Sequence, residues 1–426
     1  MRNTDYFKDK KVTVVGLGRS GVSCAKVLSD LGAQVSVTEA QDNDLVRLQA
    51  LELKSKNTKI ELGRHSQEFI RGRDLIVVSP GVTDEALPMI WAKGFKIPII
   101  SEIEVGWILC PATIIAVTGT NGKTTVTTLI GKILEAQKKK VFVCGNIGNS
   151  FCGELDKMGI SDFVSLEVSS FQLETIEMFK PDISVMLNFG LNHLDRYKDM
   201  QEYLKAKKRI FMNQDESDYL VLNSQDPVLR DLAQGAKVNV VYFSGTQSLN
   251  PNQAAVLTMG SILGIEKELC LEVFSKFKGV EHRLEHVAES GNIEFINDSK
   301  STNVDSTIWA LKNIRKPVIL IAGGRDKGSD YSIILDLIRR NVKAMIILGE
   351  AREKMKDTLG GFIPIDEVPT LKEAVKAAFY KAASGDCILL SPMCSSFDMF
   401  SNFEERGMVF KKAVYDLVKN QSHHGT

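Results

Sequence analysis

The chain has 426 residues, too many for one hydrophobic core and suited to roughly three domains of about 100–200 residues. Lys plus Arg and Asp plus Glu number 53 each within an ordinary 44% hydrophobic composition, which excludes a global basic field for nucleic acid, so any anion must be caught locally. Seven cysteines form no Cys-x-x-Cys pair, and no apolar run approaches the roughly 20 residues that span a bilayer. A reduced, cytoplasmic protein without structural zinc, membrane insertion or nucleic acid is expected.

Short β-branched runs at 12–15, 75–78, 114–117, 163–168, 183–187, 238–243, 318–321, 344–348 and 387–390 alternate with helical patterns. Near-continuous apolar strands separated by helices predict parallel sheets covered on both faces. Boundaries are expected near 107–111 and near 276–279, after a helix beginning around Asn252. The expected fold class is therefore α/β with three domains. Residues 1–108 are expected to form a Rossmann-like domain, 109–278 a central P-loop-type domain with a mostly parallel sheet, and 279–426 a second Rossmann-like domain.

The first strand runs into Gly16-Leu17-Gly18-Arg19-Ser20-Gly21, a Gly-x-Gly-x-x-Gly turn with Glu39 close to where a ribose-binding acid would lie. A dinucleotide, another nucleotide pyrophosphate, or merely a tight turn all suit these glycines. A second loop, Ser79-Pro80-Gly81-Val82, ends another strand and is placed to close over the same ligand.

The apolar run 114–117 opens into Thr118-Gly119-Thr120-Asn121-Gly122-Lys123-Thr124-Thr125, then an amphipathic stretch. Strand, glycine loop and helix can turn N–H groups, a helix dipole, a Lys ammonium and a Thr hydroxyl toward a triphosphate and Mg²⁺. The strict phosphate-loop spacing needs glycine at Val117, so a shortened Gly-x-x-Gly-Lys-Thr-Thr remains beside the plain reading of a glycine-rich turn. Downstream, Glu167 ends a strand and His193 follows the next, so Thr124, Glu167 and His193 are placed to share a cleft at the carboxyl ends of parallel strands. Alone, Glu167 reads more often as a solvated strand end and His193 as a turn residue; their shared order after the loop reverses that balance. The stretch 203–210 is dense in cations, and composition alone reads it as a solvated helix face.

The phosphate loop, EVSSFQL at 167–173, NHLDRY at 192–197 and YLKAKKRI at 203–210 resemble, in order and spacing, the Mur ligases that build the peptide stem of peptidoglycan precursors. HRLE at 282–285, INDSKSTN at 296–303, AGGRDKG at 322–328 and SPMCSSFDMFSNFEERG at 391–407 resemble the branch that adds D-glutamate. The resemblance implies an ATP-dependent amide ligase joining D-glutamate to UDP-N-acetylmuramoyl-L-alanine through an acyl phosphate. A sibling ligase for another amino acid, and a nucleotide-binding dehydrogenase using Gly16–Gly21, are the alternatives.

Carried over residue by residue, the resemblance assigns ATP to Gly119, Thr120, Asn121, Gly122, Lys123, Thr124 and Thr125, with Asn252, Arg283 and Asp298 on the adenine and ribose side. It assigns catalysis to Lys123, Glu167, His193 and Lys207, and two Mg²⁺ sites to Thr124, Glu167, His193 and Lys207, the last as a carbamate. Lys205 and Lys208 are expected to lower the Lys207 pKa toward reaction with CO₂. The UDP-muramoyl group falls to Arg19, Ser20, Glu39, Gly81, Asn146 and Ser169, and D-glutamate to Lys300, Thr302, Lys327, Ser396, Phe397 and Phe403. A monomer is implied. Two departures stand out: the chain is short between Phe243 and Asn252, with Ser248-Leu249 where the family commonly has His-Asn, and Glu39 replaces a more usual Asp.

Overall fold

The computed structural model describes residues 4–53, 58–190, 196–326 and 328–422. The chain divides into two compact units, Met1–Phe277 and Lys278–Thr426. The first holds two sheets. One joins Lys11–Val15 (β1), Gln34–Glu39 (β2), Lys59–Leu62 (β3), Leu75–Val78 (β4) and Ile99–Ser101 (β5), all parallel, in the order β3-β2-β1-β4-β5. The order reverses between β1 and β4, so the loops after these two strands flank the crevice where an open α/β sheet takes its ligand.

The second sheet comprises Thr113–Thr118 (β6), Val141–Gly145 (β7), Phe163–Glu167 (β8), Ile183–Met186 (β9), Tyr219–Asn223 (β10) and Asn239–Phe243 (β11), again all parallel, in the order β11-β10-β9-β6-β8-β7. Both faces of β6 are buried. Ile114 and Ala116 pack with Val164 and Leu166, while Ile115 and Val117 pack on Val126, Ile130 and Ile133 of the helix Lys123–Ala136. That two-sided burial explains the unbroken apolar run, since alternate residues of a strand face opposite sides. The helix expected near Asn252 is in fact two, Pro251–Ile262 and Lys267–Lys276, parted by Gly264 at φ 68°.

The second unit has one sheet of six strands: Glu285–Ser290 (β12), Ile293–Asn297 (β13), Val318–Gly323 (β14), Val342–Leu348 (β15), Ile365–Glu367 (β16) and Cys387–Leu390 (β17), in the order β12-β13-β17-β14-β15-β16. All neighbours are parallel except β12 and β13. These two form a hairpin closed by Gly291 and Asn292, both at positive φ.

Candidate nucleotide and ligase site

The phosphate loop leaves β6 and enters the helix Lys123–Ala136 at Gly122, which has φ 83°. A side chain there meets two obstacles: the left-handed backbone, and Asn252 Oδ1 2.5 Å from where a Cβ would stand. Asn252, expected on the adenine and ribose side, thus lies directly against the phosphate loop. On the other side the loop is braced by the residues after β9. Asn188 O accepts from Thr120 N (3.1 Å), Asn188 Oδ1 accepts from Asn121 N (2.8 Å), and Asn188 Nδ2 donates to Asn121 O (3.0 Å). Thr120 Oγ1 accepts from Gly190 N at 3.0 Å.

Glu167 ends β8 in register with Val117, and this alignment brings its carboxylate to the first helical turn. Oε2 accepts from Thr124 Oγ1 (2.7 Å) and Oε1 from Asn146 Nδ2 (2.9 Å), with the residue only 2% exposed. Lys207, on the helix Met200–Lys208, is 1% exposed and donates to Gly119 O at 2.9 Å. Lys123 Nζ donates to the same carbonyl at 2.8 Å. Burial first, and then the Lys123 cation, hold the Lys207 amine well below the ordinary lysine range, while Glu167 pulls the other way. The cations expected to do this, Lys205 and Lys208, are exposed on the outer face of the helix and are not among the causes. That expectation is corrected: residues one or two apart on a helix do not face each other.

These groups fit a magnesium triphosphate. A helix N-terminus aims N–H groups and a partial positive charge outward, and hydroxyl and carboxylate oxygens are the hard donors Mg²⁺ prefers. Thr124, Glu167 and Lys207 therefore converge on the loop, whereas His193 lies outside the described residues. A different acidic cluster, Glu281, His282 and Glu285, lies in the second unit. There Lys411 bonds both carboxylates, so that cluster already has its cation.

In the first sheet, Glu39 accepts from Leu17 N (2.8 Å) and Gln41 N (2.9 Å), which fixes the Gly16–Gly21 turn from the end of β2. Arg19 donates to Gly148 O (2.7 Å), reaching the loop that carries the exposed Asn146. Ser20 is half-buried and Gly81 exposed. Ser169 forms a capping box with Gln172. Arg196 was quoted in a motif without a role. It donates to Pro80 O and Val82 O (3.2 Å each) and to Glu174 Oε2 (2.7 Å), tying the central sheet's loops to the 79–82 loop. A lone arginine in a turn carries no signal of such a task.

In the second unit, Arg283 donates to Ser301 Oγ (3.2 Å), lies 3.9 Å from Asp298 Oδ1 and stacks over Trp309. Asp298 itself has no exposure. Its carboxylate accepts from Leu284 N (3.2 Å), Ser391 Oγ (2.9 Å) and Ser301 Oγ. Burial raises its pKa against the pull of Arg283 and these donors. As placed, Asp298 supports Arg283 and its turn and offers no oxygen to solvent. Lys300 Nζ lies 5.3 Å from the Phe403 ring centre, Thr302 is half-buried, Ser396 is buried and Phe397 is 60% exposed. The buried Arg406 joins the loops bearing them, donating to Ser299 Oγ (3.0 Å), Ser299 O (2.8 Å) and Cys394 O (3.1 Å). Lys327 lies outside the described residues.

A phosphate loop with a hydroxyl–carboxylate pair and a buried amine defines a nucleotide-dependent transferase or ligase site. Three family models match along the chain: the Mur ligase MurD-like N-terminal domain at 10–101, the Mur ligase middle domain at 117–279 and the Mur ligase glutamate ligase domain at 282–394. The chain belongs to the Mur ligase family. It is 39% identical to the UDP-N-acetylmuramoylalanine--D-glutamate ligase of Thermoanaerobacter pseudethanolicus, over 96% of this chain and 99% of that one. It is 38% identical to the enzyme of the same name from Clostridioides difficile, over 96% and 99%. Among solved structures its fold is similar to UDP-N-acetylmuramate-alanine ligase MurC of Thermotoga maritima, with TM-score 0.60 and 18% identity over 96% and 99% of the two chains. It is also similar to a pseudomurein peptide ligase type C of Methanothermus fervidus, with TM-score 0.58 and 18% identity over 96% and 100%.

Proposed function

We propose that this chain is an ATP-dependent ligase that joins D-glutamate to UDP-N-acetylmuramoyl-L-alanine, releasing ADP and phosphate, in peptidoglycan precursor synthesis. The observation that carries the reading is the Thr124–Glu167 pair at the mouth of the phosphate loop, with Lys207 buried behind it. Its relatives, 39% and 38% identical over almost their full length, bear that activity in their names.

A carboxylate is a poor electrophile, and joining it to an amine in water is uphill, so the acid must first be activated. The substrate carboxylate attacks the γ-phosphate of ATP to give an acyl phosphate and ADP; the D-glutamate amine then displaces phosphate through a tetrahedral intermediate. Lys123, now folded over Gly119 O and Thr120 O, turns its ammonium to the phosphates and offsets the repulsion between the two anions. Thr124 and Glu167 would hold one Mg²⁺, and His193 with a carbamate on Lys207 a second. Bound there, Mg²⁺ neutralises phosphate and carboxylate charge. A neutral buried amine is the form of lysine that reacts with CO₂, and its carbamate replaces a cation with an anionic oxygen ligand.

Residues 1–108 take the UDP-muramoyl group at Arg19, Ser20, Glu39 and Gly81, with Asn146 and Ser169 of the central domain, 109–278. Residues 279–426 supply Arg283 to the phosphates, with Asp298 positioning it. They take D-glutamate at Lys300, Thr302, Lys327, Ser396, Phe397 and Phe403, where Lys327, Thr302 and Ser396 suit its γ-carboxylate. The enzyme works as a monomer in the cytoplasm.

Phosphate release is to be measured with each UDP-muramoyl precursor crossed with each candidate amino acid. Release is expected only for UDP-N-acetylmuramoyl-L-alanine with D-glutamate. Release with L-glutamate, or with a diamino acid on a longer precursor, overturns the assignment in favour of a sibling activity.

A further inference from the structure

Asn188 stands immediately beyond β9, the parallel neighbour of β6, with Thr118 in register with Met186. That register sets Asn188 beside the phosphate loop. Its side-chain amide pairs with both the N–H and the C=O of Asn121, at 2.8 and 3.0 Å, while its own carbonyl accepts from Thr120 N at 3.1 Å. In effect the sheet gains a rung beyond the end of the strands, made half of side chain. The loop it braces holds two glycines at positive φ, Gly119 at 151° and Gly122 at 83°, and so has much conformational freedom to lose when it binds.

The bonds also decide which N–H groups serve an anion. Those of Thr120 and Asn121 are taken sideways by Asn188, which leaves the anion-facing surface to Gly122 and the first helical turn. We infer that Asn188 is a positioning residue for the triphosphate, holding the loop in its binding shape before the nucleotide arrives. The inference rests on the reading of this loop as the ATP site. It assigns to Asn188 the task of shaping the loop, and removes the Asn121 N–H from the phosphate contacts. A preorganised loop binds more tightly because less order is lost on binding.

The full chain and its N188L variant, close to Asn in size but lacking both hydrogen-bonding groups, are to be titrated with Mg·ADP by calorimetry. Steady-state kinetics over ATP, D-glutamate and the UDP-muramoyl substrate accompany the titration. The expected result is a rise of about tenfold in the ADP Kd and ATP KM, the order of one net hydrogen bond. The other two KM values and the Tm of the free protein should remain near those of the parent. ADP binding by N188L within twofold of the parent, or a rise of all three KM values together, overturns the inference. If the parent itself does not bind Mg·ADP, the reading of the loop fails first and the inference with it. Should N188L not fold, N188S, whose hydroxyl is too short to bridge both groups of Asn121, carries the same comparison.

Discussion

Thr124 Oγ1 donates to Glu167 Oε2 across 2.7 Å, joining the first turn after the phosphate loop to the end of the adjoining strand. Asn146 holds the other carboxylate oxygen at 2.9 Å, so both oxygens of Glu167 are fixed by protein donors. Glu167→Gln keeps the shape and removes the charge. We expect kcat/KM to fall by at least about 10²-fold, as for loss of a preorganised electrostatic group, and the Mg²⁺ concentration for half-maximal rate to rise. The Tm should change little. An unchanged Mg²⁺ requirement in an impaired enzyme would remove Glu167 from the metal site.

Lys207 is a buried amine whose pKa is depressed by burial and by Lys123. The unfolded chain carries a proton on this lysine below its ordinary value of 10.5, and the folded chain does not until the pH falls to the depressed value. Folding must therefore expel a proton across that window. The penalty is complete below the folded pKa and shrinks as pH rises toward the ordinary one. In bicarbonate-free buffer, Lys207→Met should be inactive yet more stable than the unmodified parent at neutral pH, with the gap closing at alkaline pH. Mass spectrometry of the parent in bicarbonate should show added carbamate mass. An active parent carrying none would sink the modification.

The sequence disclosed the parts of this fold that are apolar on two sides. The runs in β4, β6, β14 and β17 are buried on both faces, and no helical period fits them. Other strands were missed, among them β2 and the apolar β10, while β8 and β9 were found despite Ser165, Glu167 and Ser184. β2 reads QVSVTE, and its Ser36 and Thr38 are buried by packing that no local pattern announces. The hairpin β12–β13 was also missed, although Gly291-Asn292 between two short runs is a recognised two-residue turn. At the site, loop and strand-end residues were legible because their chemistry is local to a motif. The cause of the Lys207 shift was not: Lys123 is 84 positions away in sequence and arrives only when β6 and the helix Met200–Lys208 are packed together. Asn188 was invisible for the same reason, being an ordinary Asn after an ordinary strand.

Glu102 begins the helix Glu102–Leu109, where an acid normally faces solvent, yet it is 1% exposed. Oε1 accepts from Cys152 N at 2.6 Å, and Oε2 has no hydrogen-bond partner among the described residues. Burial pushes its pKa from 4.5 up to about 7. Between these values the folded chain keeps a proton that the unfolded chain releases. Stability from this group is thus present below 4.5 and lost as pH rises through about 7. Glu102→Gln should be close to the parent at pH 5 and more stable above pH 7, by about 3 kcal/mol at most. Urea unfolding at the two pH values measures this. A difference that does not change with pH would mean that Glu102 is ionised throughout.

Glu104, two residues on and so on the opposite side of the same helix, meets a different environment. Its carboxylate accepts from three successive backbone groups, Glu177 N (3.0 Å), Met178 N (2.7 Å) and Phe179 N (2.9 Å), and Trp107 Nε1 adds a bond to Lys180 O (2.7 Å). The helix that links β5 to β6 is thereby fastened to the loop before β9. Glu104→Ala leaves three N–H groups without their acceptor, each costing about 1–3 kcal/mol if water cannot reach it. We expect a loss of about 3–5 kcal/mol. Glu104→Gln, which retains one accepting oxygen, should lose about half as much. Neither touches the phosphate loop, so the ATP KM at low temperature should stay within twofold of the parent. Denaturant unfolding and steady-state kinetics on the same preparations separate the two effects. A stable Glu104→Ala protein would show that water reaches residues 177–179 and that the carboxylate is not what holds the helix in place.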